Sequence, residues 1–205
     1  MVYPRTVPTP AFVSYEQLRV AADKFLARHG WRGEIPVNIE RIVDVGMGID
    51  IVREPRLTER IDVEGFLSRN RRTIYIDDYT QDVLENRYRF TLAHEIGHHE
   101  LHDAIYRRAT FQTVEEFKDF LASLPEQAKA RMEFQANCFA GLVLAPKEQL
   151  ESAVTEAAFR ARSRFYETDI TDPVDRGYLV PTVARRLGVS GDVIERRGQF
   201  DKLWK

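Results

Sequence analysis

Sulfur is scarce in this chain. It has one cysteine, Cys138, in 205 residues, so no disulfide can close within it. It has no excess of charge of either sign: 30 Lys and Arg stand against 32 Asp and Glu, a formal net charge of −2. Bulk attraction to nucleic acid or anionic lipid is thereby excluded, and any such contact would need a local basic patch. A long apolar run is also missing. The longest near the middle, Cys138 to Ala145, is far shorter than the roughly 20 residues that span a bilayer. The first ten residues hold three prolines and no apolar stretch able to act as a signal h-region. With a single thiol and no such signal, the expectation is a cytoplasmic protein with no membrane partner. What is present is ordinary for a globular fold: 43% apolar and 30% charged residues, over a length that suits one domain or one domain with a small appendage.

Residues 1–13 read as an extended arm. A helix then begins on a capping box, Ser14 with Gln17, carries Leu18, Ala21, Ala22 and Phe25 at helical spacing, and stops near Gly30. A short helix is expected from Asn38 to Val45, ended by Gly46. Three strands follow, Gly48–Val52, Gly65–Ser68 and Thr73–Asp77, with Ile74 and Ile76 on a packed face and Thr73, Tyr75 and Asp77 on a polar one. So few strands leave at least one open edge, in either of the last two, where an extended peptide can dock. Helical patterns then cover about Gln81–Asp103, Val114–Leu124 and Glu126–Leu144, the last stopped by Pro146, and another starts at Lys147. Residues 166–180 read as a polar loop, and Pro181–Lys205 as two short helices around Gly188. The pattern is α+β: mostly helical, with a small three-stranded antiparallel or mixed sheet.

The chemistry centres on His94-Glu95-Ile96-Gly97-His98. Residues four apart on a helix are rotated by about 40° and rise about 6 Å, so His94 and His98 can meet at one metal ion. Glu95 lies about 100° round from His94, where its carboxylate reaches a water at the metal without becoming a ligand. An HExxH sequence arises by chance in on the order of one per cent of chains this long. Gly97 disfavours a helix by about 1 kcal/mol relative to Ala, which a merely structural helix has no use for; a glycine there lets another element pack close behind the metal.

Zinc needs a third protein ligand and an open position. His102 lies about 12 Å along the axis from His94, too far to share the ion on a straight helix, and is expected to support or pack beside the ligands. His99 points off the metal face. Glu133 is the better third ligand, although on spacing alone a solvated surface acid is equally open. Asn137 shares its helix face at i, i+4, as an orienting partner or a packing amide. Cys138 is expected to be a small buried hydrophobe. For the group that binds the oxyanion, Tyr75 and Arg131 are alternatives that spacing does not rank.

The run Phe90-Thr91-Leu92-Ala93-His94-Glu95-Ile96-Gly97-His98, then Glu133-x-Gln135-Ala136-Asn137-x-Phe139-Ala140 and Leu144-Ala145-Pro146, resembles the ImmA/IrrE metallopeptidases. Pro36-Val37-Asn38-Ile39-Glu40 and Gly65-Phe66 extend the resemblance over about residues 15 to 155; it departs at Ala145, where the family more often has methionine. It implies a gluzincin-like domain over residues 14–165, one Zn2+ per chain, and Glu133 as third ligand beside His94 and His98, with Glu95 catalytic. It further implies a metalloendopeptidase that cleaves a helix-turn-helix repressor or antitoxin, regulating transcription in a stress response.

The remaining 166–205 segment has its own pattern. Ala184, Gly188, Val189 and Ser190 resemble a helix-turn-helix, with Ser190 able to cap the second helix. From Pro181 onward six Lys or Arg face three Asp or Glu, a local net charge of +3. That excess is small and has no basic tail, so packing on the peptidase domain is favoured over direct DNA binding. The alternative function is a DNA-binding or repressor-binding regulator, a toxin–antitoxin-like partner with a structural or sensory metal. Glu95 separates the two readings, because a structural zinc is closed by four protein ligands and needs no water-activating carboxylate.

Overall fold

The computed structural model describes residues 9–162, 169 and 171–204. The expected arm at residues 1–8 and the expected loop at 166–168 and 170 lie outside the described residues. Helix α1 (Tyr15–Arg28) starts on the expected capping box, and Gly30 follows its end with φ 70°. Asn38 caps α2 (Ile39–Arg41) through Arg41 N–H, and the chain continues as a π-turn, Ile42–Gly46. That turn explains why β1 is Asp50–Glu54 and not Gly48–Val52. The N–H groups of Gly48 and Ile49 still bond back to Asp44 and Val43, so sheet pairing can begin only at Asp50.

A short helix, α3 (Leu57–Ile61), leads to β2 (Gly65–Leu67) and β3 (Thr73–Asp77). The sheet is mixed, in the order β1-β3-β2: β3 is parallel to β1 and antiparallel to β2. Thr73–Asp77 is therefore central, and only β2 remains as the edge of that pair. The face carrying Ile74 and Ile76 is fully buried, as expected. The other face is not simply polar. Phe66 stacks on Tyr75 at 4.8 Å and on Phe117 at 4.5 Å, so aromatic rings cover it. Asp77 is also buried, because its carboxylate accepts N–H bonds from Thr58 and Thr80 and starts α4 (Asp78–Val83).

The helical stretch expected over 81–103 is three helices: α4, α5 (Glu85–Leu101) and α6 (Asp103–Tyr106), separated at Leu84 and His102. Helix α7 (Val114–Ser123) supplies Phe117 and Phe120, and α8 (Glu126–Leu144) ends before Pro146 as expected. The core is built where α8 crosses α5. A Cβ on Gly97 would lie 2.9 Å from Ala136 Cα and 3.1 Å from its carbonyl oxygen, both main-chain atoms. Glycine there permits the approach that brings the two helices' side chains to one point. Gly97→Ala should therefore destabilise the fold by about 1–3 kcal/mol through overpacking, although alanine is the better helix former by about 1 kcal/mol. Thermal denaturation checks this, and a raised Tm would mean the helices are not in close contact.

Helix α9 (Lys147–Arg162) packs on α10 (Pro173–Leu187). The polar stretch at 173–180 is thus helix and not loop. Asp172 accepts from the N–H groups of Val174 and Asp175, Pro173 suits a first turn, and the buried face of Leu179, Val180, Val183, Ala184 and Leu187 carries the helix through Pro181. Gly188 ends α10 with φ 63°. Helix α11 (Gly191–Phe200) follows, with Ser190 at its N-cap position but with no side-chain cap bond. The pair is pinned to the body: Arg89 of α5 donates to the carbonyls of Gly188 (3.0 Å) and Val37 (2.8 Å). Among the described residues, no helix is long and apolar enough to cross a membrane.

Candidate metal centre

His94 and His98 of α5 turn their Nε2 atoms towards each other, 3.0 Å apart. Helix α8 brings Glu133 to the same point, with carboxylate oxygens 3.2 Å from His94 Nε2 and 3.6 Å from His98 Nε2. Ligand atoms about 2.0–2.1 Å from a tetrahedral zinc lie roughly 3.3 Å apart, so this donor set fits such an ion. Glu95 is also near, with an oxygen within 4.8 Å of a histidine ligand atom on each side. The main-chain N–H of Leu67, in β2, contributes a small lowering of its pKa. Two carboxylates and two imidazoles thus surround one point, and no Lys or Arg hydrogen-bonds to them among the described residues; a cation answers that negative field.

The electrostatics agree. Burial pushes the Glu95 carboxyl up to about 7. Burial resists ionisation of Glu133 too, but the hydrogen bond to His94 and the fields of both histidines outweigh it and bring Glu133 down to about 2. Burial, reinforced by the field of His94, holds His98 well below its ordinary value. Burial opposes protonation of His94 as well, yet Glu133 and Glu95 raise its pKa, because a proton there meets the negative field that a metal would meet. A neutral imidazole and an ionised carboxylate are the forms metal ligands need.

The outer nitrogens of both rings are partnered. Asn137 Oδ1 lies 3.1 Å from His94 Nδ1, and His102 Nδ1 lies 3.0 Å from His98 Nδ1. Asn137 and His102 thus lie beside His94 and His98. His99 sits beside Glu100 instead. The two oxyanion alternatives are engaged elsewhere: Tyr75 stacks on Phe66, and Arg131 donates to the carbonyl of Pro10 at 3.0 Å. Cys138 is half-buried and not core, and burial pushes its thiol up to about 11.

A cleft of about 1050 Å³ opens over the centre, with the β2 edge on one side and α11 on the other. Tyr106, which sequence reasoning missed, lines it. The ring is buried, 6.3 Å from that of His98 between centroids, and its hydroxyl is kept protonated by burial and by the charges of Glu95 and Glu133. The signal was available. His94, His98, His102 and Tyr106 continue one four-residue spacing, across the break at His102.

The family model described as Peptidase_M78: IrrE N-terminal-like domain matches residues 46–198. Among solved structures, a Mycobacterium tuberculosis transcriptional regulator shares the fold, with a TM-score of 0.53 and 18% identity. The match covers 88% of this chain and 54% of that one, so the chain spans about half the regulator's length. No curated protein matches the sequence.

Proposed function

Because the chain belongs to the Peptidase_M78 family of IrrE N-terminal-like domains, we propose that it is a zinc-dependent endopeptidase, with His94, His98 and Glu133 as ligands of one ion and Glu95 as the catalytic base. The observation that carries this is the convergence of three side chains: the Nε2 atoms of His94 and His98 lie 3.0 Å apart, and oxygens of Glu133 lie 3.2 Å and 3.6 Å from them, with Glu95 beside both histidines. Asn137 and His102 hold the outer nitrogens of the ligand rings.

A bound zinc ion supplies a Lewis acid and brings water towards ionisation near neutral pH. Glu95 takes the proton of the attacking water at its carboxylate and returns it to the nitrogen of the leaving amine, as the C–N bond breaks. Tyr106 donates its hydroxyl proton in a hydrogen bond to the carbonyl oxygen as that oxygen gains charge. The substrate runs as an extended strand along β2. The ladder bonds of Glu64 and Ser68 point to β3, so by alternation the main-chain groups of Gly65, which lines the cleft, point away from β3 and can pair with a peptide. Tyr106→Phe keeps the ring and loses only the donor. It should lower kcat roughly 10- to 100-fold, the worth of a charge-assisted hydrogen bond, with unchanged metal content and Tm. Equal kcat would remove Tyr106 from the reaction.

The substrate in this reading is a helix-turn-helix repressor or antitoxin. The family and the shared fold with a transcriptional regulator support it. The placement of α11 along the cleft, with Asp192, Arg196 and Phe200 lining it, favours a wall of the peptidase cleft over a DNA-reading helix. The test incubates the protein with the repressor encoded nearest to it, with and without chelator. Cleavage should need the metal, and metal analysis should find one zinc per chain. Glu133→Ala should weaken zinc binding by more than the roughly 10- to 100-fold typical of losing an outer partner. Full occupancy in that variant would show that Glu133 is not a ligand.

A further inference from the structure

Behind the metal centre a line of hydrogen bonds runs out to the N-terminal segment. His98 Nδ1 lies 3.0 Å from His102 Nδ1, and His102 Nε2 lies 2.9 Å from Gln135 Oε1. Gln135 Nε2 donates to the carbonyl of Ala11 at 2.8 Å. His98, His102 and Gln135 are 5%, 2% and 2% exposed, so water is not at hand to replace a missing partner. A second tie, from Arg131 to the Pro10 carbonyl, holds the same segment along α8, and Arg131 and Gln135 stand two residues to either side of Glu133.

We propose that metal loading and docking of the segment around Ala11 are coupled through this line, with His102 and Gln135 as the positioning residues that transmit it. The inference rests on the reading of His98 as a ligand through Nε2.

The physical reason is that the line has a direction. With Nε2 committed to a metal, the neutral ring of His98 carries its proton on Nδ1, which donates to His102 Nδ1. His102 then carries its own proton on Nε2 and donates to Gln135 Oε1. That leaves the amide group of Gln135 facing Ala11, where a carbonyl oxygen accepts and only a donor fits. In the opposite tautomer His98 Nδ1 is an acceptor, so His102 must donate from Nδ1 and accept at Nε2. Gln135 then turns its amide towards His102 and its oxygen towards the Ala11 carbonyl, and two acceptors meet. One arrangement satisfies every buried atom, and it is the one a metal at His98 selects. Because coupling is reciprocal, whatever lifts the segment from α8 also loosens the orientation of His98.

The experiment uses the full chain. Phe12 is 77% exposed, and chymotryptic cleavage after it, followed by mass spectrometry, reports release of the segment. Cleavage should be about 2- to 10-fold slower with zinc than with chelator, the worth of one net hydrogen bond. Gln135→Met, of similar size but without the amide, should abolish that difference. His102→Phe should lower zinc affinity about 10- to 100-fold in competition with a chromophoric chelator. Should His102→Phe fail to fold by circular dichroism, the affinity of Gln135→Met carries the same test, with a loss expected. Equal cleavage rates in the two conditions, for wild type that has bound zinc, would overturn the coupling and leave the ligand assignment standing. Zinc affinity within twofold of wild type in the folded variant would overturn the positioning role. Wild type that binds no zinc would overturn the ligand reading, and this inference with it.

Discussion

Glu95→Gln should keep the fold and the metal and lose cleavage by roughly 10²- to 10⁴-fold, the usual worth of a positioned proton-transfer group. The side chain is 4% exposed, so the substitution is made in a buried position. The glutamine side chain occupies nearly the same volume. It cannot take a proton from water. Stability should hold, since the change replaces a buried carboxyl with a neutral group. The measurement is single-turnover cleavage on protein of verified zinc content, alongside thermal denaturation. Wild-type rates in Glu95→Gln would remove Glu95 from the mechanism, whereas lost zinc would show that it acts as a ligand.

The second large effect concerns Arg197, which ties α11 to the body. Its guanidinium is 3% exposed. It donates to the carbonyl of Gly141 at 2.8 Å and to that of Ala145, the unpaired end of α8, and it bonds Asp201 at 2.7 Å. Asp201, whose side chain is 2% exposed, also receives Arg19 from α1 at 2.8 Å. Three helices are thus held by one buried ionic cluster. Arg197→Met should destabilise the protein by about 3–5 kcal/mol, because truncation leaves a buried carboxylate short of a partner and the Ala145 carbonyl unsatisfied. Against a typical total of about 5–15 kcal/mol, that is a large share. Urea denaturation gives the value. Arg197→Met combined with Asp201→Leu should recover part of it, since no buried carboxylate is then stranded and Arg19 keeps Glu16 at 3.2 Å. A loss below about 1 kcal/mol for the single variant would mean that α11 is held by its apolar face alone.

What could be read from the chain in advance was whatever a single element decides by itself. His94, Glu95 and His98 take their relative positions from helical geometry, and any helix over those residues places them so. The capping box at Ser14, the stop at Pro146 and the bounds Glu126–Leu144 and Thr73–Asp77 are local in the same sense, set by main-chain groups that side chains nearby satisfy or deny. Gly97 was legible as a place of close approach, though not what approaches.

The remainder depends on which elements meet, and short-range pattern carries no such information. Glu133 on spacing alone was equally a surface acid; α8 crossing α5 at Ala136 puts it 3.2 Å from His94. Gly65 lines the cleft because β2 is an edge strand, and that follows from β3 pairing with both other strands. The start of α10 at Pro173 was hidden because its residues are polar, and packing against α9 outweighs that preference. Gln135 meets Ala11 across 124 positions of sequence. Contacts at such separation are chosen by the burial of whole faces, and those faces exist only once the helices have packed.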